Sequence, residues 1–224
     1  MSDQVEHAND EREDELGFER MVFFSDAIFS VAITLMALEI CLPELDPEHA
    51  ADQIGAALAA LVPHIEVYVL TFVVIGVYWL VHHRLFRAIQ RFDFPLMWLN
   101  LIFLMIALIP VATNALGTYP ELGLTVAFYS VTIALVGFSE FALWFYALRK
   151  RYFPDFVAPH GALYLAMRIL APPVVFLLSI LMVPIDTDLA KLSWVVLIPL
   201  LFILGRIFPR ERAERDSYQH GARK

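Results

Sequence analysis

Six apolar runs, near residues 20–42, 54–81, 94–116, 121–148, 162–183 and 189–208, limit what this chain can fold into. A helix of about 20 residues crosses the ~30 Å hydrocarbon layer of a bilayer, so each run is long enough to span it. Within lipid every backbone N–H and C=O must be satisfied internally, which a helix does by itself. The pattern predicts an all-α membrane protein with six transmembrane helices per subunit. Composition agrees: 59% of the 224 residues are apolar and 18% charged, against about a quarter charged in soluble domains. The mean hydropathy is +0.65.

Prolines punctuate the runs. Pro43 and Pro184 follow the first and fifth, while Pro95 and Pro120 stand where the first turn of a helix tolerates them. Pro63, Pro110, Pro172, Pro173 and Pro199 fall inside runs and read as bends rather than breaks. The connecting segments alternate in charge. Segment 82–93 holds Arg84, Arg87 and Arg91, segment 149–161 holds Arg149, Lys150 and Arg151, and the tail is rich in Arg, whereas segment 43–53 holds Glu44, Asp46, Glu48 and Asp52 and no base. By the positive-inside rule both termini are cytoplasmic, in a multi-pass protein expected in the plasma membrane.

Three regions follow: an acidic, disordered tail over 1–17, a six-helix unit over 18–208, and a polar cytoplasmic tail over 209–224. The formal charge of −8 and pI near 5.3 argue against a nucleic-acid partner. Cys41 is the single cysteine, so neither an intrachain disulfide nor a thiolate metal cluster is available. No cofactor is expected.

The first run starts RMVFFSD and continues AIFSVAITLMALEI, an apolar helix whose start is bracketed by Arg20 and Asp26. At about 100° per residue, Val31, Leu35 and Leu38 fall on one narrow stripe with Thr34 at its edge, and Asp26 lies roughly 140° from Val31. Such a stripe serves either helix packing or something more specific. Trp79, His82 and His83 end the second run, and Asn100 sits early in the third. Antiparallel second and third helices would hold these groups at the depth of Arg20 and Asp26.

The string Arg20-x-x-x-Phe24-Ser25-Asp26, with Trp79-x-x-His82-His83 in the second run and Asn100 in the third, resembles the transmembrane protein 175 family of potassium channels, in its prokaryotic branch. The resemblance covers residues 18–208. It implies a potassium-selective cation channel of moderate selectivity, a homotetramer in the bilayer whose permeant partner is potassium. It also implies a pore lined by the first helix at Val31, Thr34, Leu35 and Leu38, and a network of Arg20, Phe24, Ser25, Asp26, Trp79, His82, His83 and Asn100. The innermost stripe position is Val31, where a bulkier Ile or Leu is typical.

The residues themselves fit that implication. No TVGYG-like loop occurs, so there is no carbonyl-type selectivity filter; four apolar stripes would form a hydrophobic constriction, and a ring of Thr34 hydroxyls would replace part of an ion's hydration shell. Glu39 and Glu44 would draw cations to the outer mouth, or simply cap the helix in water. His82 and His83 are adjacent rather than i, i+4, which disfavours a metal site. Glu140 and Arg168 are expected to pair within the membrane. A different class, a proton-coupled secondary transporter using Glu66, His64 or Glu140, fits less well without paired repeats. An enzyme is not expected, because no Ser, His and acid set converges at one depth.

Overall fold

The computed structural model describes residues 2–153 and 159–207, with side chains described over 16–153 and 163–206. The tail over 209–224 lies outside the described residues. All regular structure among the described residues is helical: α1 (Ser2–Leu38), α2 (Ala50–Ala60), α3 (Val62–Ala88), α4 (Phe94–Phe103), α5 (Ile109–Thr118), α6 (Gly123–Arg149), α7 (Pro159–Ile180), α8 (Thr187–Ser193) and α9 (Leu197–Ile207). Short 3-10 stretches, Leu104–Leu108 and Trp194–Val196, join α4 to α5 and α8 to α9. Six stretches are long and apolar enough to cross a membrane: Leu16–Leu38, Ala50–Ala88, Phe94–Thr118, Gly123–Arg149, Leu163–Ile180 and Thr187–Arg206.

Helix ends follow local chemistry. Asp93 caps α4 by accepting from the Leu96 N–H at 3.0 Å, and Asp186 caps α8 by accepting from the N–H groups of Asp188 and Leu189. Pro63 and Pro110 differ from the bends expected of them. Each stands in the first turn of a new helix, α3 and α5, because a residue without an N–H fits a helix start better than its middle. Pro172 and Pro173 do lie inside an unbroken α7. At the amino end, α1 runs from Ser2 with no break at residue 17.

α6 is the hub, packing on α7, α4, α5, α3 and α8, while α1 lies against α3, α5 and the 3-10 stretch of the third span. Close approach at the hub needs Gly137. A Cβ there would stand 2.6 Å from the Tyr78 hydroxyl and 2.7 Å from Pro173 Cγ. Polar side chains then tie the buried helices together. Tyr78 donates to the Ile133 carbonyl at 3.0 Å, Thr71 and Tyr129 share a hydrogen bond of 2.9 Å, and Thr113 donates to Thr71 at 3.2 Å. Trp194 Nε1 donates to Ser179 Oγ at 2.9 Å, which meets Ser130 Oγ at 3.1 Å. Bonds of this kind hold membrane helices where hydrophobicity alone cannot select a partner.

Candidate functional site

α1 divides into two faces. Met21, Ser25, Phe29, Ala32 and Met36, spaced three and four apart, are buried against the rest of the bundle. The opposite face stays open: Val31 is 49% exposed, Leu35 44% and Leu38 73%, with Thr34 and Ala27 exposed beside them. Much of this apolar stripe is thus left uncovered by the rest of the chain.

Two hydroxyls on the stripe are turned inward. Ser30 Oγ donates to the Asp26 carbonyl at 2.9 Å, and Thr34 Oγ1 lies 3.0 Å from both the Ser30 and Val31 carbonyls. With its hydrogen engaged by backbone, the Thr34 oxygen presents lone pairs, not a donor, to the outside. Ser30 had no place in the sequence reading; its i−4 spacing from Thr34 was the signal that could have found it. Glu39 and Glu44 are exposed past the end of α1, and what desolvation Glu39 has pushes its carboxyl above the ordinary value.

The buried face of α1 carries polar contacts. Trp79 Nε1 of α3 donates to Asp26 Oδ1 at 2.8 Å, and His83 stacks on the Trp79 ring at 5.4 Å between centroids. Asn100 Nδ2 of α4 donates to Ser25 Oγ at 3.0 Å, and Ser25 Oγ in turn donates to the Met21 carbonyl at 2.9 Å. His82 joins this cluster through ring packing. Its ring is caged by Phe86 at 4.3 Å, Phe103 at 4.7 Å and Phe29 at 5.7 Å, and neither ring nitrogen has a hydrogen-bond partner among the described residues.

Arg20 and Phe24 stay outside this cluster, both exposed. Their spacing explains it, since positions 20, 24, 27, 31, 35 and 38 advance by three and four along the open stripe. The expected Glu140–Arg168 pair is also absent among the described residues. Arg168 Nη1 turns along its own helix to the Tyr164 hydroxyl at 2.9 Å, and both carboxyl oxygens of buried Glu140 lack a hydrogen-bond partner. No hydrogen bond among the described residues links His64, Glu66 and Glu140. No group of three or more His, Cys, Asp and Glu side chains arranged to hold a metal occurs among them either.

Known proteins share this plan. The family model for the endosomal/lysosomal potassium channel TMEM175 matches residues 20–110, which include the second half of α1 and the Trp79, His82, His83 and Asn100 positions. A potassium channel of Streptomyces collinus is 35% identical over 141 residues, covering 61% of this chain and 67% of that one. The human endosomal/lysosomal proton channel TMEM175 is 32% identical over 153 residues, 65% of this chain but 29% of the human protein. The chain thus spans under a third of that relative. The crystal structure of a lysosomal potassium-selective channel TMEM175 homolog from Chamaesiphon minutus superposes with a TM-score of 0.72 at 24% identity, covering 84% of this chain and 98% of that one, which establishes the shared fold. The chain belongs to the TMEM175 family of potassium channels.

Proposed function

We propose that the chain forms a homotetrameric, potassium-conducting channel in the plasma membrane, with its pore along the open face of α1. The carrying observation is that face: Val31, Thr34, Leu35 and Leu38 lie exposed inside a membrane span while the opposite side of the same helix is buried. Four copies around an axis would cover it, in the closed ring that a head-to-tail contact makes when its rotation closes. Leu35 and Leu38 then form rings that resist wetting, and Thr34 oxygens replace part of the hydration shell of a passing cation. Selectivity from hydroxyls and apolar rings is moderate, since fewer dipoles face the ion than in a cage of carbonyls.

The Asp26–Trp79 and Ser25–Asn100 contacts fix the rotation of α1, so they set which side chains reach the axis. Arg84, Arg87, Arg91, Arg149, Lys150 and Arg151 lie in the segments after the second and fourth spans, and by the positive-inside rule they support a cytoplasmic position for that end and both termini. Glu39 and Glu44 stand at the other end and concentrate cations there. Residues 18–208 form the conducting unit, flanked by the acidic head and the polar tail.

Reconstitution into planar bilayers with potassium, sodium and protons exchanged in turn tests the reading. Passive current that reverses near the potassium equilibrium potential is expected. Transport that requires a coupled proton, or a protein that stays monomeric in mild detergent, overturns it.

A further inference from the structure

Two basic segments meet at one end of the bundle. The end of α3 with the loop after it, residues 87–93, and the end of α6 with residues 150–153 hold five cations, Arg87, Arg91, Arg149, Lys150 and Arg151, against one acid, Asp93. The Gln90 N–H donates to the Tyr152 carbonyl at 2.8 Å, and Asp93 Oδ2 accepts from the Tyr146 hydroxyl at 2.6 Å, so the two segments are joined. Charge acts across that seam, from Arg91 on the Tyr152 hydroxyl and from Lys150 on the Asp93 carboxyl. All five cations are exposed, and none has an ion pair among the described residues. Asp93 has its two oxygens engaged by Tyr146 and the Leu96 N–H. Like charges held together repel, and the anion that would relieve them has to come from outside the described chain.

The turn after α6 is strained in a way that favours a cation over a better-fitting residue. The Tyr152 N–H donates to the Ala147 carbonyl at 3.0 Å and the Arg151 N–H to the Leu148 carbonyl at 3.1 Å, the paired bonds that close a helix through a left-handed residue. Arg151 is that residue, with φ 56°, the one non-glycine with positive φ among the described residues. Glycine takes this conformation without a Cβ penalty, so an arginine here costs stability that a ligand contact can offset.

Position along the spans names the source of the anion. Trp98 is exposed in the second turn of α4, and Tyr146 and Tyr152 flank the seam. Trp and Tyr collect where lipid headgroups meet hydrocarbon. Arg149 lies over the exposed ring of Phe145, one turn back along the span, at 5.8 Å from its centroid. The cations just past these rings therefore stand at the level of lipid phosphates, and guanidinium forks match phosphate oxygens in shape and charge. We propose that the joined basic segments form a headgroup site for an anionic phospholipid, whose phosphate is shared by Arg91 and the cations at 149–151. The proposal needs only that the spans cross a bilayer and is independent of where the pore lies.

The full chain in neutral detergent is melted alone and with phosphatidylglycerol, phosphatidylcholine or soluble glycerol phosphate at equal concentration. Phosphatidylglycerol should raise the melting temperature by several degrees, phosphatidylcholine by much less and glycerol phosphate not at all, and native mass spectrometry should show phosphatidylglycerol retained. The double variant Arg91→Gln, Arg149→Gln, at exposed positions where folding is not at stake, should lose at least half of that shift. Arg206→Gln, which removes a cation from the sixth span, should keep it. Arg151→Gly separates a ligand contact from plain structure by sign: it should keep or raise the melting temperature without lipid and shrink the shift with phosphatidylglycerol. Equal shifts from the two lipids, a shift reproduced by glycerol phosphate, or a loss as large in Arg206→Gln as in the double variant would overturn the proposal. So would a full shift in Arg151→Gly and the double variant, or a parent protein that neither shifts nor retains phosphatidylglycerol, the result that an acidic segment or a neighbouring subunit covering the cations would give.

Discussion

Trp79 and Asp26 join α3 to α1 through one hydrogen bond of 2.8 Å from the indole N–H to Oδ1, between two half-buried side chains. Removing the acceptor strands a donor between packed helices, at a cost of about 1–3 kcal/mol. Asp26→Ala should therefore lower thermal stability and the assembled fraction seen by size-exclusion chromatography. Asp26→Asn, which keeps an acceptor oxygen, should recover much of both. Trp79→Phe should match Asp26→Ala in direction, because it leaves the carboxylate without its partner. An Asp26→Ala protein that assembles and conducts like the parent would remove this bond from the account of how α1 is held.

The open face of α1 separates gate from lipid contact by sign. If Leu35 merely faced lipid, Leu35→Ser would leave ion flux unchanged or reduced; as part of a dewetting ring it raises cation current and weakens the preference for potassium over sodium. Thr34→Val keeps nearly the same volume but deletes the outward oxygen, so it should lower current or selectivity. Reversal potentials under bi-ionic potassium and sodium, at matched incorporation, measure both. If both variants assemble and neither moves conductance or reversal potential, α1 does not line the path.

Gly137 tests the hub. The Cβ of Gly137→Ala would press on the Tyr78 hydroxyl at 2.6 Å and on the Pro173 ring at 2.7 and 2.8 Å. Neither neighbour is a loose side-chain end, so overpacking of about 1–3 kcal/mol is expected, read as a lower melting temperature in detergent. Adding Tyr78→Phe relieves one of the two clashes and should restore part of the loss. Full restoration would mean that Pro173 yields.

Asp93 supplies a pH test outside the spans. Burial pulls its carboxyl up, but hydrogen bonds from Tyr146 at 2.6 Å, Tyr152 and the Leu96 N–H, with the charge of Lys150, outweigh that and hold it below the ordinary value. A carboxyl depressed in the folded state adds stability above its unfolded pKa of about 3.9, and that stability is lost as the pH falls through the lower folded value. Asp93→Asn keeps the helix cap and deletes the charge. Its melting temperature should sit below the parent's at neutral pH, and the two curves should converge in acid. Parallel curves down to about pH 3 would show that the charge contributes nothing.

The six spans and the two-faced character of α1 could be read from the chain, because long apolar runs and three-four spacing are local properties. Rotamers and long-range cages are not local. A helical wheel places Arg168 at a height where Glu140 is in range, yet it cannot say that the guanidinium turns four residues back to Tyr164. The rings that enclose His82 come from α1, α3 and α4, at positions with no polar signature. Thr71, Thr113 and Tyr129 went unnoticed for the same reason: uncharged side chains scattered through three apolar runs leave no pattern until the helices are assembled.

The 3-10 stretch Leu104–Leu108 acts as a phase shifter within the third span. On a continuous α-helix the thirteen residues from Asn100 to Thr113 would turn the two side chains to within about 40° of opposite directions. Five residues wound at three per turn add about 100° of twist, which returns Thr113 to within roughly 40° of the direction of Asn100. One span can then give an inward amide to Ser25 and, further along, an inward hydroxyl to Thr71. Pro110, just beyond, cannot supply the N–H that a regular helix would require of it, so the extra twist is locked where it is made. Both polar registrations of this span depend on five apolar residues that touch neither hydrogen bond.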